Sequence, residues 1–206
     1  MTLNIFKLAV LVSGRGSNLQ AIIDSIEKEE LDVSISIVIS NTKDAIALKQ
    51  AEKHNIKTIF IDPASYLNKV AYDRALIDKL KEFSIDLICL AGYMRILGEE
   101  VIQTFKEKII NIHPSLLPAF PGLNAQKQAL EYGVKFSGCT VHFVDSGIDS
   151  GPIILQTAVP IYDNDDEKSL SERILEQEHH LYSKAIKMIK ENQIKVSGRT
   201  VTHKTR

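Results

Sequence analysis

The stretch "FKLAVLVSGRGSNLQAIIDSIEKEE", residues 6–30, changes its hydrophobic period once, at a pair of glycines. Before them, "FKLAVLV" is an unbroken apolar run of the length of one buried strand. After them, apolar residues fall at 19, 22, 23 and 26, the spacing of an amphipathic helix. The alternation then repeats. Strands are expected at 33–40, 57–61, 85–92 and 109–112, and helices at 45–55, 66–83, 97–105 and 124–133, the last stopping at Gly133. Segments 138–144 and 152–161 read as paired strands around a turn-rich loop, and 166–192 as a long helix. The polar tail reads as a small edge hairpin.

Strands separated by helices predict an α/β fold, a three-layer, doubly wound, mostly parallel sheet with helices on both faces. A chain of 206 residues suits one domain, 1–206, with its core at about 6–192 and a polar tail at 193–206. In such sheets ligands bind beyond the carboxyl ends of the strands. The segments to search are therefore 13–18, 40–44, 92–97, 111–121 and 145–151.

Composition narrows the function. Basic and acidic residues number 25 and 26, a balance that gives no support for attraction to nucleic acid or membrane surfaces. No apolar run is long enough to span a bilayer, and the N-terminus has no cleavage-type pattern. Cys89 and Cys139 form neither a CxxC pair nor a disulfide framework, which suits a reducing cytoplasm.

The turn "SGRGSN" departs from two phosphate-binding patterns. The dinucleotide fingerprint G-x-G-x-x-G has Gly14 and Gly16, but Leu19 holds its third glycine position. The P-loop is absent. What remains is a tight turn with Ser17 and Asn18 at a helix start, where free N–H groups and the helix dipole suit one phosphate. The same residues also suit a plain turn in which Ser or Asn caps the helix. Arg15 either adds a phosphate contact or faces water.

In "IINIHPSLLPAFPGLN", residues 109–124, a strand runs into three prolines. Asn111 and His113, two apart, project to one face. Pro114 then ends the ladder. Asn can donate an N–H to a developing oxyanion, and His can pass a proton near neutral pH. The pair suits acyl-type transfer through a tetrahedral intermediate. No G-x-S-x-G elbow or loop cysteine supplies a covalent nucleophile, so the attacking group would belong to a substrate. A capped strand end with a hydrogen-bonded histidine is the alternative.

"HFVDSGIDSGPII", residues 142–154, adds Asp145 and Asp149. A calcium loop is excluded, because Ser150 and Gln156 stand where glycine and glutamate are required. A buried Asp149 near His113 would favour the imidazolium; an ordinary Asp-rich turn is the other reading. The six histidines, at 54, 113, 142, 179, 180 and 203, form no H-x-x-x-H or H-E-x-x-H pattern, so no metal is expected.

"VLVSGRGSNLQAII", "LAGYMRIL", "NIHPSLLPAFPG" and "GCTVHFVDSGIDSGPIILQ", in this order, closely resemble the phosphoribosylglycinamide formyltransferases, folate-dependent enzymes of purine synthesis. The likeness runs from about residue 7 to about residue 190. It implies a Rossmann-like formyltransferase fold and transfer of a formyl group from 10-formyltetrahydrofolate, a co-substrate, to the amino group of glycinamide ribonucleotide. It implies that His113 donates a proton, Asn111 steadies the oxyanion and Asp149 raises the His113 pKa. It also implies a ribonucleotide site at Gly16, Ser17, Asn18 and Glu178. For the folate it implies Asn111, Met94, Arg95, Ile96 and Leu97, the loop Asp145, Ser146, Gly147, Ile148 and Asp149, and Lys69. Some relatives place Arg at this last position, and Lys cannot reproduce its planar fork. A cis peptide at Leu117–Pro118 is implied as well. The expected partners are these small molecules, with the chain a monomer or a homodimer in the cytoplasm and with no nucleic acid, membrane or metal.

Three other readings compete. A formyltetrahydrofolate deformylase would use the same triad with water as acceptor, and usually carries an extra N-terminal domain. A methionyl-tRNA formyltransferase would need a C-terminal tRNA-binding domain and a basic face. A folate- or nucleotide-binding module without catalysis would tolerate loss of Asn111 and His113.

Overall fold

The computed structural model describes residues 5–204. Seven strands form one sheet in the order β3-β2-β1-β4-β5-β6-β7, and two more form a separate hairpin. The expectation of an α/β fold with a mostly parallel sheet holds. By their internal contacts the residues fall into two units, one up to Ile110 and one from Asn111 onward.

In the first unit, β1 (Lys7–Val12) is buried from Leu8 to Val12. It pairs in parallel with β2 (Ser34–Ser40) on one side and β4 (Leu87–Leu90) on the other. Successive side chains point to opposite faces and all five are fully buried, so neither face meets water, which is why the sequence shows no polar alternation. β3 (Thr58–Phe60) extends the parallel set beyond β2. The helices α1 (Ser17–Glu27), α2 (Ile46–Lys53), α3 (Lys69–Glu82) and α4 (Glu99–Thr104) occupy the intervals between strands. Helix α1 buries Leu19, Ile22 and Ile23, the stripe seen in the sequence. In α3 the N-cap is Asn68, whose side chain accepts from the Ala71 N–H at 3.0 Å.

β5 (Ile109–His113) reaches one residue further than the apolar run, through His113 itself. In the second unit, α5 (Ala125–Tyr132) ends at Gly133, whose φ of 78° is the left-handed turn that stops a helix. β6 (Phe136–Phe143) and β7 (Ile153–Pro160) pair antiparallel, as expected. All of β6 after its first residue is buried, whereas β7, last in the sheet order, is mostly half-buried or exposed. The long helix α6 (Glu167–Lys190) starts at a capping box made by Asp166 and Ser169. The tail forms the expected hairpin, β8 (Ile194–Ser197) and β9 (Thr200–His203). Among the described residues, no helix is long and apolar enough to cross a membrane.

Candidate active site

Where β5 ends, Pro114 supplies no N–H, and the Ser115 N–H turns back onto the His113 carbonyl at 2.9 Å. The proline-rich loop is then tied to β6 and β7. Thr140 Oγ1 donates to the Ser115 carbonyl at 2.7 Å and accepts from the Leu117 N–H at 3.1 Å. Gln156 Nε2 donates to the Leu117 carbonyl at 2.9 Å and to Thr140 Oγ1 at 3.0 Å. The Leu117–Pro118 bond is cis, as the resemblance implied. Phe120 has a φ of 53°, a left-handed conformation unusual for a bulky residue.

This loop reaches two residues of the predicted site. His113, 5% exposed, donates from Nε2 to the Phe120 carbonyl at 2.8 Å, and its Nδ1 lies 3.2 Å from Asp149 Oδ2. The Gly122 N–H donates to the same Asp149 oxygen at 2.8 Å. Asn111 Nδ2 donates to Asp149 Oδ1 at 3.3 Å and to His142 Nε2 at 3.2 Å. In its neutral form the second imidazole accepts from Asn111 at Nε2 and donates from Nδ1 to the Phe143 carbonyl at 2.8 Å. Asp149 thus joins the three, hydrogen-bonded to Asn111 and in ion-pair range of His113, and neither side-chain N–H of Asn111 is idle. To serve an oxyanion the amide must exchange a partner, and the 3.3 Å contact with Asp149 is the longer of its two.

The electrostatics keep the expected direction of the Asp149 effect but set it against burial. Burial lowers the His113 pKa, and the repulsion of His142 adds to it; the Phe120 carbonyl and Asp149 push upward without overcoming burial, so the net shift is downward. Asp149 does favour the imidazolium, but from below the ordinary histidine value. For Asp149 itself, burial pushes the carboxyl up. The contact with His142, the Gly122 N–H and the charge of His113 outweigh it, and the pKa lies below the usual carboxylate range.

The loop bearing Asp149 is a compact turn. Asp145 Oδ1 accepts from the Gly147 N–H at 3.1 Å and from Ser150 Oγ at 2.6 Å. Asp149 has a φ of 47°, while the Ile148 side chain is exposed. Glu178, expected to hold the ribonucleotide, lies buried on α6 at 6% exposure. Burial and the nearby charge of Glu178 push the Cys139 thiol up to about 12, which makes it inert as a nucleophile.

In the first unit, the glycine turn is built against α2. Helix α1 is capped by Gly16 at a φ of 80°, with no side-chain cap from Ser17 or Asn18, so the capping alternative is corrected. A Cβ at Gly16 would come within 2.6 Å of the Ala47 Cβ. The Ala47 N–H holds the Gly14 carbonyl at 3.1 Å, and the Gln50 amide, oriented to satisfy both groups, donates to the Arg15 carbonyl at 3.0 Å. The carbonyls of the turn are thus engaged by α2. The first N–H groups of α1 lack partners within the helix by its geometry.

Met94 to Leu97 follow β4 as irregular chain, with Met94 and Ile96 exposed and Leu97 buried. The Met94 N–H is already taken, donating to Ser13 Oγ at 2.8 Å, and Ser13 in turn donates to Asn41 Oδ1 at 2.5 Å. The Arg95 guanidinium lies 4.7 Å above the Tyr72 ring. Lys69 pairs with the buried carboxylate of Asp73 at 2.9 Å, so its charge is spent within the protein.

Four contributors escaped the sequence reading. The Phe120 carbonyl and the Gly122 N–H are backbone groups with no side-chain signature. His142 sat on an apolar strand and carried no motif. Ser13 lies in the searched segment 13–18, but its link from the Met94 N–H to Asn41 joins residues too far apart in sequence to be read there.

A family model described as "Formyl transferase" matches residues 6–186. A phosphoribosylglycinamide formyltransferase from Bacillus subtilis is 44% identical over 183 residues, 89% of this chain and 94% of that protein. The chain also matches much longer relatives. Against the human trifunctional purine biosynthetic protein adenosine-3 it is 49% identical over 183 residues, 89% of this chain but only 18% of the relative's length. A solved glycinamide ribonucleotide transformylase from Symbiobacterium toebii superimposes with a TM-score of 0.95 at 45% identity, covering 98% of both chains. A formyltetrahydrofolate deformylase from Pseudomonas syringae shares the fold at a TM-score of 0.90, but at 26% identity, and covers 97% of this chain and 66% of its own.

Proposed function

Because this chain belongs to the formyl transferase family, we infer that it moves the formyl group of 10-formyltetrahydrofolate to the amino group of glycinamide ribonucleotide, in purine biosynthesis. The observation that carries the reading is the group Asn111–His113–Asp149, its histidine buried and the other two half-buried, which sets an amide donor and a proton carrier each within 3.3 Å of one carboxylate. That set suits transfer between two substrates better than formation of a covalent enzyme intermediate.

The amine nitrogen attacks the formyl carbon, a C–N bond forms, and the carbonyl electron pair moves onto oxygen. Asn111 gives this oxyanion an N–H, releasing its long contact with Asp149. The attacking nitrogen sheds a proton to solvent, the oxyanion pair re-forms the carbonyl as the bond from the formyl carbon to the folate nitrogen breaks, that nitrogen takes a proton from His113, and His113 regains one from solvent. The proton count is unchanged. Of the two His113 contacts, the one to Asp149 is longer than the one to Phe120, so the Nδ1 side yields more readily. Asp149 supports the imidazolium against the cost of burial.

In the same reading, Gly16, Ser17 and Asn18 hold the ribonucleotide phosphate on the N–H groups of α1, and Glu178 serves that substrate as well. Met94 to Leu97 and the loop Asp145 to Asp149 hold the folate. With the Met94 N–H engaged by Ser13, the backbone contacts to the pterin come from the remaining groups of this edge. Lys69 contributes its charge only by loosening from Asp73. The family match over residues 6–186 supports reading the chain as one formyltransferase domain. The enzyme works in the cytoplasm as a monomer or a homodimer.

One assay tests the reading. 10-Formyltetrahydrofolate is mixed with the protein, with and without glycinamide ribonucleotide, and folate release is followed. Turnover only with the acceptor is expected. Turnover without it would identify a deformylase, and none under either condition would leave a binding module.

A further inference from the structure

The hairpin of β8 and β9 follows the segment matched by the family model and reaches back to the loop that carries Asp149. Ser197 pairs with Thr200, which leaves Gly198 and Arg199 as a two-residue turn. Gly198 has a φ of 59° and open space where a Cβ would stand, so glycine is required there by backbone angle rather than by crowding. A glycine first in a two-residue hairpin turn is a standard solution to strand twist. It sets Arg199 at the tip. From there Arg199 Nη2 donates to the Ser150 carbonyl at 3.0 Å, across 49 residues of sequence.

Ser150 is held from two directions, because its hydroxyl also donates to Asp145 Oδ1 at 2.6 Å. The following residue cannot shift either. A Cβ at Gly151 would lie 1.8 Å from the Phe143 carbonyl, so the backbone there runs hard against the end of β6. Asp149, directly before Ser150, sits in the left-handed region at a φ of 47°. Few non-glycine residues hold that conformation unless their surroundings impose it.

We propose that Arg199 is a positioning residue: by fixing the Ser150 carbonyl it holds the Asp149 loop in the conformation that aims the carboxylate at His113 and Asn111. The proposal rests on the formyl-transfer reading for its kinetic arm only. Arg199 is exposed on a surface hairpin, so its removal leaves the core intact.

The test uses the full chain with Arg199→Ala, Arg199→Lys and the control Lys195→Ala. Arg199→Ala should lower kcat about 5-fold, the scale of one solvent-exposed hydrogen bond lost from a positioned loop, with KM for the ribonucleotide and Tm unchanged. Amide hydrogen exchange should quicken at residues 145–151 and stay constant in β6. Arg199→Lys should recover most of the rate, and Lys195→Ala should match wild type. In an Asp149→Asn background, Arg199→Ala should cost nothing further, because the residue it positions has lost its charge. An unchanged kcat, unchanged exchange in the loop, or a full additional loss in the Asp149→Asn background overturns the proposal. Absence of wild-type turnover would instead defeat the formyl-transfer reading, and the exchange result alone would then decide whether Arg199 holds the loop.

Discussion

The carbonyl oxygen of Phe120 stands 2.8 Å from Nε2 of His113, at a residue whose φ of 53° is costly for a bulky side chain. With Asp149 on the opposite nitrogen, both faces of the imidazole meet acceptors. A neutral ring can satisfy one of them and an imidazolium both. The strained backbone is therefore part of what keeps a buried histidine able to carry its second proton.

Replacing Asp149 with Asn should lower the His113 pKa further, since it removes an upward influence and leaves burial in place. The acid form exists below the pKa and is lost as pH rises through it. The variant should lose activity at a lower pH than wild type, with kcat down on the order of 10- to 100-fold at pH 7.5 and a smaller change in ribonucleotide KM. NMR titration of the His113 ring gives the direct measurement, and an unchanged pKa would contradict the coupling. At low pH, His113→Ala should be the more damaging of the two changes.

His142 is expected to act through Asn111. Replacement by Ala removes the acceptor that fixes one amide N–H at 3.2 Å. The amide then loses its orientation, and kcat should fall about 10-fold with little effect on either KM. Gln at 142, which can accept through its amide oxygen, should retain more activity than Ala. Equal rates for the two variants would show that the contact does not matter.

The glycine turn should report on one substrate. A bulky apolar residue at Asn18 should raise ribonucleotide KM far more than folate KM, because it blocks the start of α1. Gly16→Ala should be worse and should also lower Tm, since a Cβ there meets Ala47 in a conformation that alanine resists. Parallel rises in both KM values for the Asn18 variant would mean that the turn is only structural.

Thr140→Val keeps shape and removes one hydroxyl. It strips the buried Ser115 carbonyl and Leu117 N–H of their partner. A loss of about 2–3 kcal/mol is expected, a fall in Tm of roughly 5–10 °C for a chain of this size. Thermal or urea unfolding measures it, and a shift within error would show that the loop relaxes to satisfy both groups elsewhere.

The order of strands and helices was readable because periodicity is local: "FKLAVLV" and the stripe at 19, 22, 23 and 26 each report their own burial. Asn111 and His113 were readable for the same reason, since a spacing of two fixes a shared face. The charge state of His113 was not. It depends on burial by residues far along the chain, and burial outweighed the carboxylate that the sequence suggested. The cap of α1 was misread because Ser17 and Asn18 have capping side chains, whereas the turn is decided by the room that α2 leaves Gly16. Lys69 looked available for a ligand, but its pairing with Asp73 arises one helical turn away on α3.

The double engagement of the Asn111 amide bears on inhibitor design. A compound that binds beside Asn111 without an oxygen at the reacting carbon gains nothing from the amide, because that group already has partners of its own. A mimic carrying a hydrated aldehyde at that carbon offers a better acceptor than the stretched 3.3 Å contact with Asp149. The affinity difference between such a pair of compounds should disappear in Asn111→Ala, making the pair a probe of the amide as well as a route to tighter ligands.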